Sequence, residues 1–277
     1  MSEVIRETAF AKLNPVLHVG PPRADGLHPL CSIFASLDLA DVVEVEPADD
    51  GAGSDSVDCP GVPDVNLAQK AAAAFRRKVP GLPRLRITID KRIAVAAGLG
   101  GGSADAAAVL RAANRIAGQP LSIDALREIA AGLGSDVPSQ VEPGHALVQG
   151  VGESVEEVEL PPLSDVLVAQ REGLSTASVY ARLDRVQGWR ERLDPEPLRE
   201  LARSFHPRAL ENDLQPAALA LRPELAQVLE RLRETGPLGT LVSGSGPTCF
   251  ALFADREQAE RGAQEIEGAI VAEFRRR

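Results

Sequence analysis

The sequence predicts a mixed α and β fold in two halves, on three observations. In residues 84–95, Leu85, Ile87 and Ile89 alternate with Arg86, Thr88 and Asp90, the period of two expected of a half-buried strand. Residues 104–117 are rich in alanine with Val109, Leu110 and Ile116, good helix formers closed by Gly118 and Pro120. A link carrying Pro161 and Pro162 then leads into a fresh strand at 165–169, where the chain restarts. We expect one half over residues 1–155 and another over 156–277.

Between that first strand and helix, residues 96–105 read Ala-Ala-Gly-Leu-Gly-Gly-Gly-Ser-Ala-Asp. Glycines let backbone N–H groups approach a ligand closely, and a helix start adds open donors and the positive end of a dipole. A phosphate is the expected guest. The commoner phosphate loops fail by counting: the sixth residue from Gly98 is Ser103, where a P-loop needs its second glycine and a dinucleotide fingerprint its third, and no Gly-Lys pair occurs in the chain.

The remaining elements follow in order. Residues 4–10 and 16–19 read as two short strands with a turn-rich loop at 21–28, and 41–45 as a third strand before an aperiodic surface loop at 47–63. Asp64, Val65 and Asn66 cap a helix at 67–79 that ends in Arg76, Arg77 and Lys78. Ser122 opens a helix through Ala130, stopped by Gly132 and Gly134, and 145–149 is a strand. Beyond 165–169, Ser175 and Thr176 lead into a helix bearing Val179 and Tyr180, followed by helices at 196–203 and 223–234. Strands at 240–243 and 249–253 flank a second glycine loop, and 255–276 is predicted as a closing amphipathic helix.

Composition narrows the function. A chain of 277 residues, 44% hydrophobic, has ample core, and a formal charge of −10 argues against a broad basic surface for nucleic acid or anionic membrane. Three well-separated cysteines and four scattered histidines form no metal motif. With no apolar run of about 18 residues and no basic-then-apolar leader, a cytoplasmic protein is expected. Of the 30 basic residues only Lys12, Lys70, Lys78 and Lys91 are lysines, so a lysine marks a position where arginine was not used.

Several segments together carry a resemblance. Ala11-Lys12-Leu13-Asn14 is followed by Arg23-Ala24-Asp25-Gly26-Leu27-His28, then by Asn66-Leu67 with Lys70-Ala71, by the first glycine loop, and by Ser135-Asp136-Val137-Pro138. Ser175-Thr176 with Val179-Tyr180, Asn212-Asp213-Leu214 and Gly244-Ser245-Gly246-Pro247-Thr248 complete the series. In this order they resemble the GHMP kinases, and within them the branch acting on a cytidine diphosphate sugar alcohol. The resemblance implies an α+β architecture, an N-terminal domain like ribosomal protein S5 domain 2 and a ferredoxin-like C-terminal one. It implies ATP and Mg2+ as cofactors, the metal carried by ATP with no protein metal site. It assigns the ATP phosphates to Ala96, Ala97, Gly98, Leu99, Gly100, Gly101, Gly102, Ser103 and Ala104, and catalysis to Lys12 and Asp136. It assigns the substrate to Asn14, Asp25, His28, Ser175, Thr176, Tyr180, Gly244 and Ser245. The implied partner is that small molecule, with no nucleic acid or membrane, and the protein a monomer or weak homodimer.

Three positions depart from the pattern. Leu27 stands where many relatives carry an aromatic, Ala94 replaces a proline, and Ser139-Gln140 replaces an apolar pair. The alternatives are a sister kinase of the homoserine or mevalonate type, which Arg-Ala-Asp-Gly-x-His argues against, and a non-catalytic nucleotide-binding relative, which Lys12 and Asp136 argue against.

Overall fold

In the computed structural model residues 4–48, 53–62, 66–170, 172–206 and 209–275 are described; Asp64, Val65 and Arg276, which figure in the expectations above, lie outside them. The described chain forms two compact units, each assembled from separated stretches. One holds 1–11, 39–95 and 100–143; the other holds 12–38, 96–99 and 144–277.

In the first unit, the later part of β2 (Leu30–Pro47) pairs antiparallel with β4 (Leu85–Asp90), in register Val42 with Asp90, and β3 (Ser56–Asp58) runs parallel to β4. Along β4 the burial alternates residue by residue, as its sequence demands. Helices α1 (Leu67–Lys78), α2 (Gly101–Ile116), α3 (Ile123–Ala131) and the single turn α4 (Val137–Gln140) complete this unit. Alanines make close packing possible: Ala68, Ala71 and Ala72 of α1 and Ala106, Ala107 and Ala113 of α2 are fully buried in a core that includes Phe75, Ile87 and Leu110. Helix α4 packs against both α2 and α3.

In the second unit, the early part of β2 pairs with β5 (Ala146–Gly150), β5 with β6 (Ser154–Glu157), and β1 (Ile5–Val19) runs parallel to β8 (Glu211–Asn212) at Val16 and Leu17. A separate four-stranded sheet has the order β11-β7-β10-β9, from β7 (Ser164–Val168), β9 (Gly239–Val242), β10 (Cys249–Phe253) and β11 (Ile270–Glu273). Helices α5 (Thr176–Val186), α6 (Glu196–Arg203), α7 (Gln215–Leu221), α8 (Glu224–Glu234) and α9 (Arg256–Gln264) belong to this unit.

Three expectations are corrected. The two N-terminal strands are the single 15-residue β1, because residues 11–17 are buried on both faces and lose the alternation that marks a strand. The same burial hides the first eight residues of β2, so only its later part shows a period of two. The closing helix of 255–276 is half as long: α9 ends at Gln264, Gly268 takes φ +74°, and the chain returns as β11 to pair with β7. There strand pairing overrides the helical spacing of Ile266 and Ile270.

Candidate active site

In the second unit, three predicted segments meet. Lys12 and Asn14 lie on β1, both buried. Lys12 Nζ donates to Asn14 Oδ1 at 2.8 Å and sits 4.8 Å from the centre of the Phe34 ring, a cation–π arrangement. Asn14 Nδ2 in turn donates to Ser32 Oγ at 3.0 Å, and that hydroxyl donates to Val16 O at 2.6 Å. The relay fixes the asparagine so that its oxygen faces the ammonium.

Residues 96–99 are fastened to this platform by backbone bonds. Lys12 N donates to Leu99 O at 2.9 Å, Thr248 N to Ala97 O at 3.2 Å, and Ser243 Oγ to Gly98 O at 3.1 Å. Gly98 has φ +80°, and a Cβ there would come within 2.6 Å of Ser243 O and 2.8 Å of Gly246 O, so no side chain fits. Ala96 holds φ 54°, uncommon for a residue with a side chain. The second glycine loop closes from the other side: a Cβ on Gly244 would stand 3.2 Å from Asn14 Oδ1 and 3.7 Å from Lys12 Nζ. Asn212, which the sequence left without a role, donates through Nδ2 to Val242 O (2.8 Å) and Gly244 O (2.7 Å) and so holds that loop in shape. Ser245 Oγ and Thr176 Oγ1 are 2.9 Å apart, and Ser175 caps α5.

His28 and Tyr180 also come together, with ring centroids 5.2 Å apart and planes tilted by 42°. The His28 Nδ1 donates to Gly20 O at 2.7 Å while Nε2 faces the Asp184 carboxylate at 3.1 Å. Trp189, missed in the sequence, lies 6.1 Å from the same imidazole. Leu27 is half exposed beside it, and Asp25 sits in the turn, accepting from Leu27 N (3.1 Å) and pairing with Arg23 (2.9 Å).

The first unit holds residues 100–104 and Asp136. Gly100, at φ 71°, is the N-cap of α2 and supplies no side-chain hydrogen bond, so the first-turn N–H donors are available to an anion. Space is open beyond Gly102, where an added Cβ would meet nothing within 4 Å. Asp136 is the N-cap residue of α4 and half-buried; Ser139 Oγ donates to its carbonyl at 2.8 Å, and Arg111 Nη1 donates to Gln140 O at 2.7 Å, which ties α4 to α2. Asn66 caps α1, accepting from Ala68 N at 2.9 Å.

One cluster in this unit was not foreseen. Lys91 Nζ donates to Asp41 Oδ2 at 2.5 Å and to Asp105 Oδ2 at 2.9 Å, all three being nearly or fully buried. Burial pushes the Asp105 carboxyl up to about 7, Lys91 opposing the shift and Asp41 adding to it. Burial works against the charge of Lys91, but Asp105 and Asp41 outweigh it and the lysine is raised. A legible signal existed: Asp105 is the one carboxylate in the alanine-rich run of α2, and Lys91 is one of only four lysines. Among the described residues no group of three or more His, Cys, Asp or Glu is placed to hold a metal ion, and no helix is long and apolar enough to cross a membrane.

Known proteins give a consistent picture. The GHMP kinases N terminal domain family matches residues 66–144, and the GHMP kinases C terminal family matches 190–271. A 4-diphosphocytidyl-2-C-methyl-D-erythritol kinase of an Anaeromyxobacter species is 42% identical, over 96% of this chain and 88% of its own. The enzyme of the same name from Nocardia farcinica is also 42% identical, over 95% of this chain and 90% of its own. A crystal structure of 4-(cytidine 5'-diphospho)-2C-methyl-D-erythritol kinase superposes with a TM-score of 0.82 at 33% identity, covering 97% of this chain and 98% of that one. Homoserine kinase from Cytophaga hutchinsonii shares the fold, with a TM-score of 0.68 at 18% identity over 99% of this chain and 95% of that one.

Proposed function

This chain belongs to the 4-diphosphocytidyl-2-C-methyl-D-erythritol kinases of the GHMP superfamily, and from that premise we propose that it transfers the γ-phosphoryl group of ATP to the 2-hydroxyl of 4-diphosphocytidyl-2-C-methyl-D-erythritol. The products are the 2-phosphate and ADP, in the non-mevalonate route to isoprenoids. The observation that carries the reading is the fastening of residues 96–99 to both Lys12 and the 243–248 loop.

Phosphoryl transfer asks for positioning and charge neutralisation more than for covalent chemistry. Backbone donors of the glycine loop and the α2 N-terminus hold the ATP phosphates. Asp136 accepts the proton of the 2-hydroxyl as its oxygen attacks the γ-phosphorus and the bond to ADP breaks. Lys12, oriented by Asn14, stabilises the negative charge that develops on that oxygen. His28 and Tyr180 supply the polar edge and aromatic surface for cytosine, and Asn14, Asp25, Ser175, Thr176, Gly244 and Ser245 bind the rest of the substrate. Leu27 offers no second ring, so selectivity for the base rests on His28 and Tyr180, with the Trp189 ring beside the same imidazole. The finer points of the reading are a cytoplasmic enzyme, a monomer or weak homodimer, magnesium entering with the nucleotide substrate, and functional halves over residues 1–155 and 156–277.

Phosphorus NMR of the cytidine substrate with magnesium-ATP tests the reading directly. Wild type is expected to produce a new monoester resonance, and Asp136→Asn to slow its appearance by about 10²–10⁴-fold. Equal turnover in the variant removes Asp136 as the base. Absence of turnover by wild type overturns the substrate.

A further inference from the structure

Lys91 precedes the glycine loop by five residues, and a lysine beside a phosphate loop invites the role of phosphate ligand. Its surroundings argue otherwise. The two carboxylates that take its ammonium, at 2.5 and 2.9 Å, come from opposite sides of the loop in sequence: Asp41 on β2 and Asp105 on α2. Asp41 does more, because its other oxygen accepts the backbone N–H groups of Arg92 (2.6 Å) and Ile93 (2.8 Å). The stem that leads to residues 96–99 and the helix that leaves them are thereby joined through one ammonium.

Shape supports the same conclusion. A Cβ at Gly101 would lie 2.9 Å from Ile93 Cγ2 and 3.2 Å from Lys91 Nζ, so the ammonium sits against the backbone of the first helical residue. A compact ammonium fits that space where a planar guanidinium would not, which accounts for lysine in a chain that mostly uses arginine. Electrically the cluster has one positive and two acidic groups, and Asp105 Oδ1 has no hydrogen-bond partner among the described residues. Such a cluster offers a phosphate no net attraction; what it offers is a fixed direction for the first-turn donors of α2.

We infer that Asp41, Lys91 and Asp105 form a clasp that positions the first turn of α2 for the ATP phosphates, Lys91 being a positioning residue that acts through its carboxylates and does not touch the nucleotide. The inference rests on the reading that ATP phosphates bind at this turn.

Steady-state kinetics on Lys91→Met, Asp105→Leu, the double variant and Asp105→Asn test it, with KM for magnesium-ATP, KM for the cytidine substrate and kcat measured separately. Each apolar single variant is expected to raise KM for magnesium-ATP about tenfold while leaving the other two constants within about twofold. The double variant, which removes an ammonium together with one of its carboxylates, is expected to return KM for magnesium-ATP to within about threefold of wild type. Asp105→Asn keeps an oxygen for Lys91 and is expected to stay within about threefold as well, which decides the matter against Asp105→Leu even if Lys91→Met does not fold. A double variant no better than Lys91→Met, or Asp105→Leu with the wild-type KM for magnesium-ATP, overturns the clasp alone. A loss spread evenly over all three constants overturns it too, in favour of general structural support. If wild type itself is not saturated by magnesium-ATP, the reading of the loop falls and the clasp's role with it.

Discussion

Lys12 and Lys91 are two largely covered lysines, one in each unit, whose hydrogen-bond partners differ in kind. Lys12 is fixed by a neutral amide oxygen at 2.8 Å and an aromatic face. Both of those partners orient it. Lys91 is gripped by two carboxylates within 3 Å, and its charge is matched on the spot. The difference teaches how one residue type serves two ends. On β1 an amide oxygen and a ring set the direction of one ammonium, and in the first unit two carboxylates hold the other against the backbone that leads into α2.

The comparison breaks first at Lys12. Lys12→Met is expected to lower kcat by about 10²–10³-fold, with a thermal midpoint close to wild type, because an apolar chain of similar length still packs on Phe34. A midpoint that collapses while residual kcat stays high would assign Lys12 to structure and erase the contrast. Lys91→Met should do the reverse in a denaturant titration. It leaves Asp41 and Asp105 facing each other in the interior, at a cost of about 3–5 kcal/mol of unfolding free energy. Unchanged stability would mean that the carboxylates find other partners.

How much of this was legible in the sequence depends on whether a feature is local. The glycine loop, the helix that follows it and the caps Asn66 and Ser122 declare themselves by residue type within a few positions. Lys12, Asp136 and Tyr180 are chemically ordinary alone and stand out only through the resemblance of the segments around them. The clasp was missed because it joins residues 41, 91 and 105, and nothing in the neighbourhood of any one names the other two. Asn212 failed to declare its role for the same reason, its partners lying 30 and 32 residues away. The length of β1 was hidden by its own burial, since a strand covered on both faces has no periodicity to read. The clasp and Asn212 are long-range pairings, whereas the glycine loop and the helix caps are short-range preferences of the backbone.

A third buried ionisable group has neither kind of partner. Asp165 on β7 is fully buried, and both its oxygens are without hydrogen-bond partners among the described residues. Burial pushes its carboxyl well above the usual carboxylate range, and the Asp38 carboxylate adds to the push. With no ammonium against it among the described residues, the fold favours the protonated form of the group. A raised folded value means that the native protein binds the proton more tightly than the unfolded chain. Its stabilising contribution is therefore complete below the ordinary carboxylate value of about 4 and is lost as pH rises through the folded value. Asp165→Asn cannot ionise, so its thermal midpoint should fall less than that of wild type as pH rises from about 4, a difference on the order of 2–4 °C for each kcal/mol removed. Parallel midpoint curves for the two proteins would mean that Asp165 is ionised in the fold and has found a cation, placing it with Lys91's carboxylates after all.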